Sequence, residues 1–285
     1  MSKIGLVVEG GGMKCAYSAG VLDKFLDYNV TFDYCIGVSA GSANLASLMA
    51  GQRGRNRHFY VDHVKDPLYF GARAFLKTGN LFNLQYIYGD LTNDGGADEL
   101  HFDKILANPC EYELVTTNAL TGKPAYFNKH QMIRNNYIHI MASSAIPAIS
   151  RPVFIDGTPY FDGGISNAIP ADRALENGCD KLVFVLSKSR NYVKKPEGMK
   201  VLYSLLCRKY PAVINDLKNR HIMYKKCQDF MYDLEKQGKA FIFSLETDLK
   251  ISTYAMDPVL NQKLYDNGIN DFEAKKDALF KFMQG

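Results

Sequence analysis

No stretch of the 285-residue chain approaches the roughly 18 apolar residues that a membrane-spanning helix requires, so a helical membrane span is not among the candidates. The six cysteines, Cys15, Cys35, Cys110, Cys179, Cys207 and Cys227, lack Cys-x-x-Cys spacing and histidine partners. They read as reduced, mostly buried thiols, with neither a metal centre nor a disulfide framework indicated. The formal net charge is only +4, too small to argue for a nucleic-acid partner. No Gly-x-x-x-x-Gly-Lys-Ser/Thr is present, and the one triple glycine does not fit Gly-x-Gly-x-x-Gly, which weakens a nucleotide-phosphate reading and suggests no cofactor. Internal repeats and low-complexity segments are missing as well. Met1-Ser2-Lys3 leads directly into the first apolar run, leaving no room for a cleavable signal, so the expectation is a cytoplasmic protein.

Apolar residues make up 47% of the chain and charged residues 22%, values that support a sizeable core. The centre of the pattern is Gly37-Val38-Ser39-Ala40-Gly41, set between the apolar run Phe32 to Ile36 and the small-residue run Ser42 to Ala50. Strand, sharp turn and helix in that order make a Gly-x-Ser-x-Gly elbow, which lifts a serine hydroxyl clear of the sheet and needs Gly37 and Gly41 to avoid clashes. Taken alone, the same five residues also fit an ordinary glycine-rich turn.

Two further loops narrow the choice. Gly10-Gly11-Gly12-Met13-Lys14 follows the strand-like Lys3 to Val8 and opens a helix, Ala16 to Tyr28, so its free N–H groups and the helix dipole can face negative charge. Asp162-Gly163-Gly164 ends a hairpin built from Val153-Phe154-Ile155, the turn pair Asp156-Gly157, and Thr158 to Phe161. A carboxylate held beside a serine hydroxyl can orient it and take its proton. A similar Asp94-Gly95-Gly96 lies in the polar segment Thr92 to Glu99 with no strand leading into it, and reads as a solvated loop.

These three loops, in this order, resemble the patatin-like phospholipase family over about the first two thirds of the chain. The resemblance implies an oxyanion hole from Gly10, Gly11, Gly12 and Lys14, a nucleophile at Ser39 and its dyad partner at Asp162, without metal or cofactor. It implies a lipid or acyl-ester substrate, with peripheral contact at a membrane surface. The fold implied is α/β: a three-layer patatin-like arrangement with a mostly parallel central sheet flanked by helices and a C-terminal helical addition. Ala142-Ser143-Ser144-Ala145-Ile146-Pro147 looks like the family's segment packed under the active site. Cys15 is a departure, since many members carry glycine there.

The domain reading places a catalytic domain at 1–190 and a mainly helical region at 191–285. Strands are expected at Lys3 to Val8, Phe32 to Ile36, Glu111 to Thr117, Lys123 to Asn128, Lys181 to Ser187 and Ala240 to Leu245. Helices are expected at Ala16 to Tyr28, Ala40 to Gly51, Gln131 to Ala142, Ala171 to Asn177, Met199 to Cys207 and Pro211 to Gln237, with further helices beyond Pro258. An aromatic-rich block, opened by Asp66-Pro67 and holding Leu68, Tyr69, Phe70, Phe75 and Leu76 and then Leu81 to Tyr88, either lines or covers an acyl pocket or is an ordinary helix burying Leu81, Leu84 and Tyr88. Basic residues cluster at Arg53, Arg55, Arg57 and His58, and at Lys188, Arg190, Lys194, Lys195 and Lys200, where solvated loops compete with attraction to anionic headgroups.

A Ser-His-Asp esterase remains the chemical competitor, because His221 follows Asp162. Its place in a long charged helix reads as a surface histidine. A catalytically quiet lipid-binding or regulatory scaffold and a phosphate binder also stay open, and oligomeric state is not written in the sequence.

Overall fold

The protein is described by a computed structural model covering residues 2–198, 200–246 and 252–284. Expectations that touch Met1 and Met199 fall outside those residues. A single eight-stranded sheet runs in the order β5-β6-β3-β2-β1-β7-β8, with β4 also paired to β3. The strands are β1 Ile4–Val8, β2 Tyr34–Val38, β3 Glu111–Asn118, β4 Pro124–Asn128, β5 Val153–Ile155, β6 Thr158–Asp162, β7 Lys181–Ser189 and β8 Ala240–Leu245. β8, β7, β1, β2 and β3 are mutually parallel, whereas β4, β5 and β6 add antiparallel pairs at the other end.

Every residue of β1 and β2 is buried. Helices cover both faces, which is why these strands are written as unbroken apolar runs rather than alternating ones. The helices, in chain order, are α1 Ala16–Asp27, α2 Ala40–Met49, the single turn α3 Arg55–Arg57, α4 Ala72–Thr78, α5 Phe102–Ala107, α6 Ile138–Ser143, α7 Ala171–Glu176, α8 Lys200–Leu206, α9 Pro211–Lys236 and α10 Pro258–Gln284. One face carries the larger core, with Val21 and Phe25 of α1, Leu45 of α2 and Phe272 of α10. The other carries Ala174 of α7 and Tyr224 and Met231 of α9. The outcome is a three-layer α/β fold.

Because β1 is followed by a helix on one face and β7 leads to α9 on the other, the crossovers diverge between these two neighbouring strands. A crevice opens at such a switch point, beyond the strand C-termini. The glycine loop follows β1 there, and Ser187 and Lys188 close β7 beside it.

Several expectations need correction. The second strand runs through Val38, so Gly37 is a strand residue and the turn is confined to Ser39. The helix expected over Gln131 to Ala142 is only α6, because Asn135 adopts φ 61° and interrupts the backbone before it. The chain beyond Pro258 forms one continuous helix rather than several. The basic clusters are not loose solvated loops. Arg55 is buried and bound to the Asp98 carbonyl, Ser47 and Thr92, while Arg53 pairs with Asp27. Lys188 is held by Glu9, Arg190 by Glu235 and Lys194 by Glu197. Ion pairs and buried carbonyls claim these cations, whereas Lys195 and Lys200 of the second cluster are exposed and in no ion pair among the described residues.

Candidate active site

Ser39 ends β2 and caps α2 with φ 55° and ψ −131°, a strained conformation for a residue with a side chain. The strain is held from below. Ser143 Oγ accepts the Ser39 N–H at 2.9 Å and donates to the Val115 carbonyl at 2.7 Å, while Ser42 Oγ donates to the Ser39 carbonyl at 2.6 Å. A side chain at Gly37 would meet the Ser42 backbone at 2.6 Å, and one at Gly41 would meet the Val8 carbonyl oxygen at 2.6 Å. The elbow closes only with glycine at both ends.

Asp162 ends β6, which pairs with β3 so that Asp162 sits opposite Thr116. Its Oδ1 accepts the Gly164 N–H at 2.7 Å, its own N–H donates to the Ala145 carbonyl at 2.9 Å, and Thr117 Oγ1 donates to its carbonyl at 2.8 Å. These bonds fix the Asp162 side chain, and Asp162 and Ser39 line the same polar cavity. Both residues are nearly excluded from solvent, at 6% and 4% exposure. Burial pushes the Asp162 carboxyl above the usual carboxylate range, and Arg220, Ser39, the Gly164 amide and Lys188 pull it back. That combination favours a carboxylate that accepts a proton readily.

The glycine loop completes the third side. Gly10 packs so closely on the elbow that a methyl there would meet Ser39 Cβ and the Val38 carbonyl oxygen at 2.7 Å. Ser187 Oγ donates to the Gly10 carbonyl at 2.7 Å, fixing the loop to the end of β7. Among the described residues, the N–H groups of Gly10, Gly11 and Gly12 make no hydrogen bond, whereas Met13 N–H is taken by the Thr253 carbonyl and Lys14 N–H by Gly11. Lys14 sits apart: its Nζ lies 6.0 Å from the centre of the Tyr192 ring, and it lines neither cavity beside Ser39. Cys15 lies fully buried with its thiol 3.5 Å from the Glu9 carbonyl, and burial pushes it up to about 12.

Two cavities meet at Ser39. The first, about 60 Å³, is walled by apolar and aromatic side chains including Phe59, Tyr60, Tyr69, Phe82, Leu84 and Ile87. The aromatic-rich block of the sequence therefore does line a pocket. The second, about 290 Å³, is polar, with Asp162, Lys188, Lys194, Glu197 and Arg220 in its wall. Gly12, Ser39 and Ile146 belong to both. No histidine lines either cavity; His221 is half-buried on α9 with Nδ1 unpartnered, rather than a plain surface residue. The Asp94 loop is exposed and paired with Arg134.

Four residues in this site carried no sequence signal. Glu9, 1% exposed, accepts from the Lys188 ammonium and from Tyr224 Oη at 2.9 Å beneath the glycine loop. Arg220 of α9 donates through Nε to the Gly164 carbonyl at 2.7 Å. Thr253 and Tyr254, just before α10, lie against Gly12 and in the polar cavity wall. Only Glu9, directly preceding the triple glycine, occupies a position that could have drawn notice. Among the described residues, no group of three or more histidine, cysteine or acidic side chains is placed to hold a metal ion.

An elbow serine, a buried aspartate and a glycine loop thus come together at the switch point of an α/β sheet. The family model for patatin-like phospholipase matches residues 6–175, and the chain belongs to that family. A domain of unknown function (DUF6363) matches residues 210–284. The uncharacterized protein YjjU of Escherichia coli strain K12 is 28% identical over 248 residues, which span 85% of this chain and 68% of that protein. Among solved structures, VipD from Legionella pneumophila aligns with 96% of this chain and 67% of its own at 12% identity and a TM-score of 0.43. No helix among the described residues is long and apolar enough to cross a membrane.

Proposed function

We propose that the protein is a serine lipid acyl hydrolase that cleaves carboxylic ester bonds of phospholipids or related acyl esters through a Ser39-Asp162 dyad. The observation that carries this reading is that Ser39, held in a strained elbow, and the buried Asp162 line one polar cavity where it meets an apolar one. An acyl chain enters the apolar side and the alcohol portion the polar side. Asp162 takes the Ser39 proton as Oγ attacks the ester carbonyl, and the Gly10, Gly11 and Gly12 amides hold the oxyanion. The proton passes from Asp162 to the departing alcohol. Water then attacks the acyl-serine, giving one proton to Asp162, which returns it to Oγ as the fatty acid leaves. Lys14 supports the loop from beneath rather than touching substrate. The region from 191 onward completes the catalytic unit of 1–190 through Arg220 and Thr253.

Aspartate is preferred to histidine as the base because the cavities around Ser39 contain no imidazole. Labelling the native protein with a fluorophosphonate should modify Ser39 alone, and Ser39→Ala should abolish both labelling and hydrolysis of a short-chain nitrophenyl ester. Removing the base by Asp162→Asn should reduce turnover by at least about 10². Undiminished hydrolysis by the folded Ser39→Ala protein would refute the assignment; an unlabelled, inactive native protein would favour the quiet scaffold.

A further inference from the structure

α8 is a helix turned inside out. Tyr203 and Cys207, four residues apart, anchor it in the core at 3% and 2% exposure. Val201, Leu202, Leu205 and Leu206 point outward, with Val201 84% and Leu205 61% exposed. α4 repeats the arrangement: Ala74 is fully buried while Phe75 and Leu76 stand out at 52% and 85%. Scattered apolar side chains on a surface need no explanation, but six on two short helices form a concentrated feature.

The two helices adjoin the same loop. Cys207 at the base of α8 belongs to the core cluster against which Ile146 and Ala148 of that loop pack. Just beyond α4, Leu81 N–H donates to the Ile149 carbonyl at 2.8 Å and the Asn80 side chain accepts the Arg151 N–H at 2.8 Å. That loop begins with Ile146, which lines both cavities beside Ser39. The outward apolar side chains therefore flank the segment that forms part of the site wall.

Along the two segments themselves the charge has one sign. From Gly198 to Tyr210 and from Gly71 to Thr78 the chain holds no acidic residue, while Lys200, Arg208, Lys209, Arg73 and Lys77 are all exposed. None of the five is in an ion pair among the described residues, unlike the cations of the site itself. Apolar side chains beside unpaired cations match an interface with an acyl layer beneath and anionic headgroups above. They do not suit a second copy of the chain, since two such faces would bring like charges together.

We propose that α4 and α8 form a docking surface for an anionic lipid bilayer, seating the protein with the Ile146 loop against the lipid. The surface is separate from the acyl chemistry, so its test does not depend on turnover. The full chain carrying Ser39→Ala is sedimented with vesicles of phosphatidylcholine, with and without phosphatidylglycerol. The expected result is binding to the anionic vesicles that weakens with salt. Adding Val201→Glu and Leu205→Glu should lower partitioning by about tenfold or more, as should Lys200→Glu with Lys209→Glu. In the chain that retains Ser39, both pairs should leave circular dichroism and hydrolysis of a soluble ester unchanged. A parent that ignores vesicles, or variants that bind as it does, would overturn the proposal. So would a parent dimer split into monomers by Val201→Glu and Leu205→Glu, which would make the surface a contact between copies.

Discussion

Arg220 Nε donates to the Gly164 carbonyl oxygen at 2.7 Å, and Gly164 N–H in turn donates to Asp162 Oδ1 at 2.7 Å. Helix α9, far along the chain from the elbow, thus grips the residue that holds the proposed base. Arg220 is also the strongest influence drawing the Asp162 carboxyl down against its burial.

Replacing Arg220 with Met should let the Asp162 carboxyl rise further. The acid limb of the kcat/KM profile would then move to higher pH, and activity on that limb would fall by roughly tenfold for each unit moved. Arg220→Lys keeps the charge but not the fork, and should fall between the two. A pH-rate profile on a soluble ester reads the shift; a uniform loss at every pH would instead indicate a purely structural role.

Asp162→Asn should inactivate and stabilise at once. In the folded protein burial raises the Asp162 carboxyl above the value of the unfolded chain, so the native state holds that proton to higher pH. Stability contributed by this group is present in acid and lost as pH rises through the folded value. Asparagine does not ionise and can still accept the Gly164 N–H. The variant's advantage in melting temperature should therefore be small in strong acid, grow as pH rises through the carboxylate range, and level off. A melting series against pH that shows the opposite trend would contradict the burial assignment.

Lys188→Met should be costly because it leaves the Glu9 carboxylate, 1% exposed, without its cation. Removing one partner of a buried pair costs about 3 to 5 kcal/mol, and the lower end is expected here because Tyr224 Oη and Ser187 N–H still donate to Glu9 at 2.9 Å. Adding Glu9→Gln to the same protein should recover most of the loss. Urea denaturation of the two variants gives the comparison, and a single variant within about 1 kcal/mol of the native protein would show that the donors suffice alone.

What was legible in the sequence is what neighbouring residues specify. The elbow is written in Gly37, Ser39 and Gly41 because the strain at one residue and the close approaches on either side are local. The hairpin before Asp162 is written in Asp156-Gly157, which adopt φ 48° and 76°. The remainder depends on partners distant along the chain. Arg55 looked like one of a run of surface cations, yet Ser47, Thr92 and the Asp98 carbonyl enclose it. Lys188 looked like one cation of a basic cluster and Arg220 carried no signal at all; their meaning comes from Glu9 and Gly164, 179 and 56 residues away. Even α8, correctly placed as a helix, concealed which of its apolar residues face outward.

The bond between the C-terminal region and the rest can be tested at Gly268. A side chain built there would lie 2.1 Å from the Tyr17 carbonyl oxygen, and one at Gly20 would lie 2.1 Å from the Tyr265 carbonyl oxygen. Both obstacles are backbone, so they cannot swing aside; α1 and α10 would have to separate. Separation would strain Tyr17 Oη to Asp271 at 2.5 Å and Tyr265 Oη to Asp23 at 2.6 Å, and loosen Phe272 from Phe25. Gly268→Ala should therefore destabilise by about 3 kcal/mol, at the upper end for an added methyl group. It should also lower esterase activity, because α10 follows the Thr253 segment that caps Met13 beside the glycine loop. Gly198→Ala, where the methyl meets nothing within 4 Å, should change stability by less than about 0.5 kcal/mol and serves as the control. If Gly268→Ala melts with the control, the two helices do not lock the C-terminal region to the sheet.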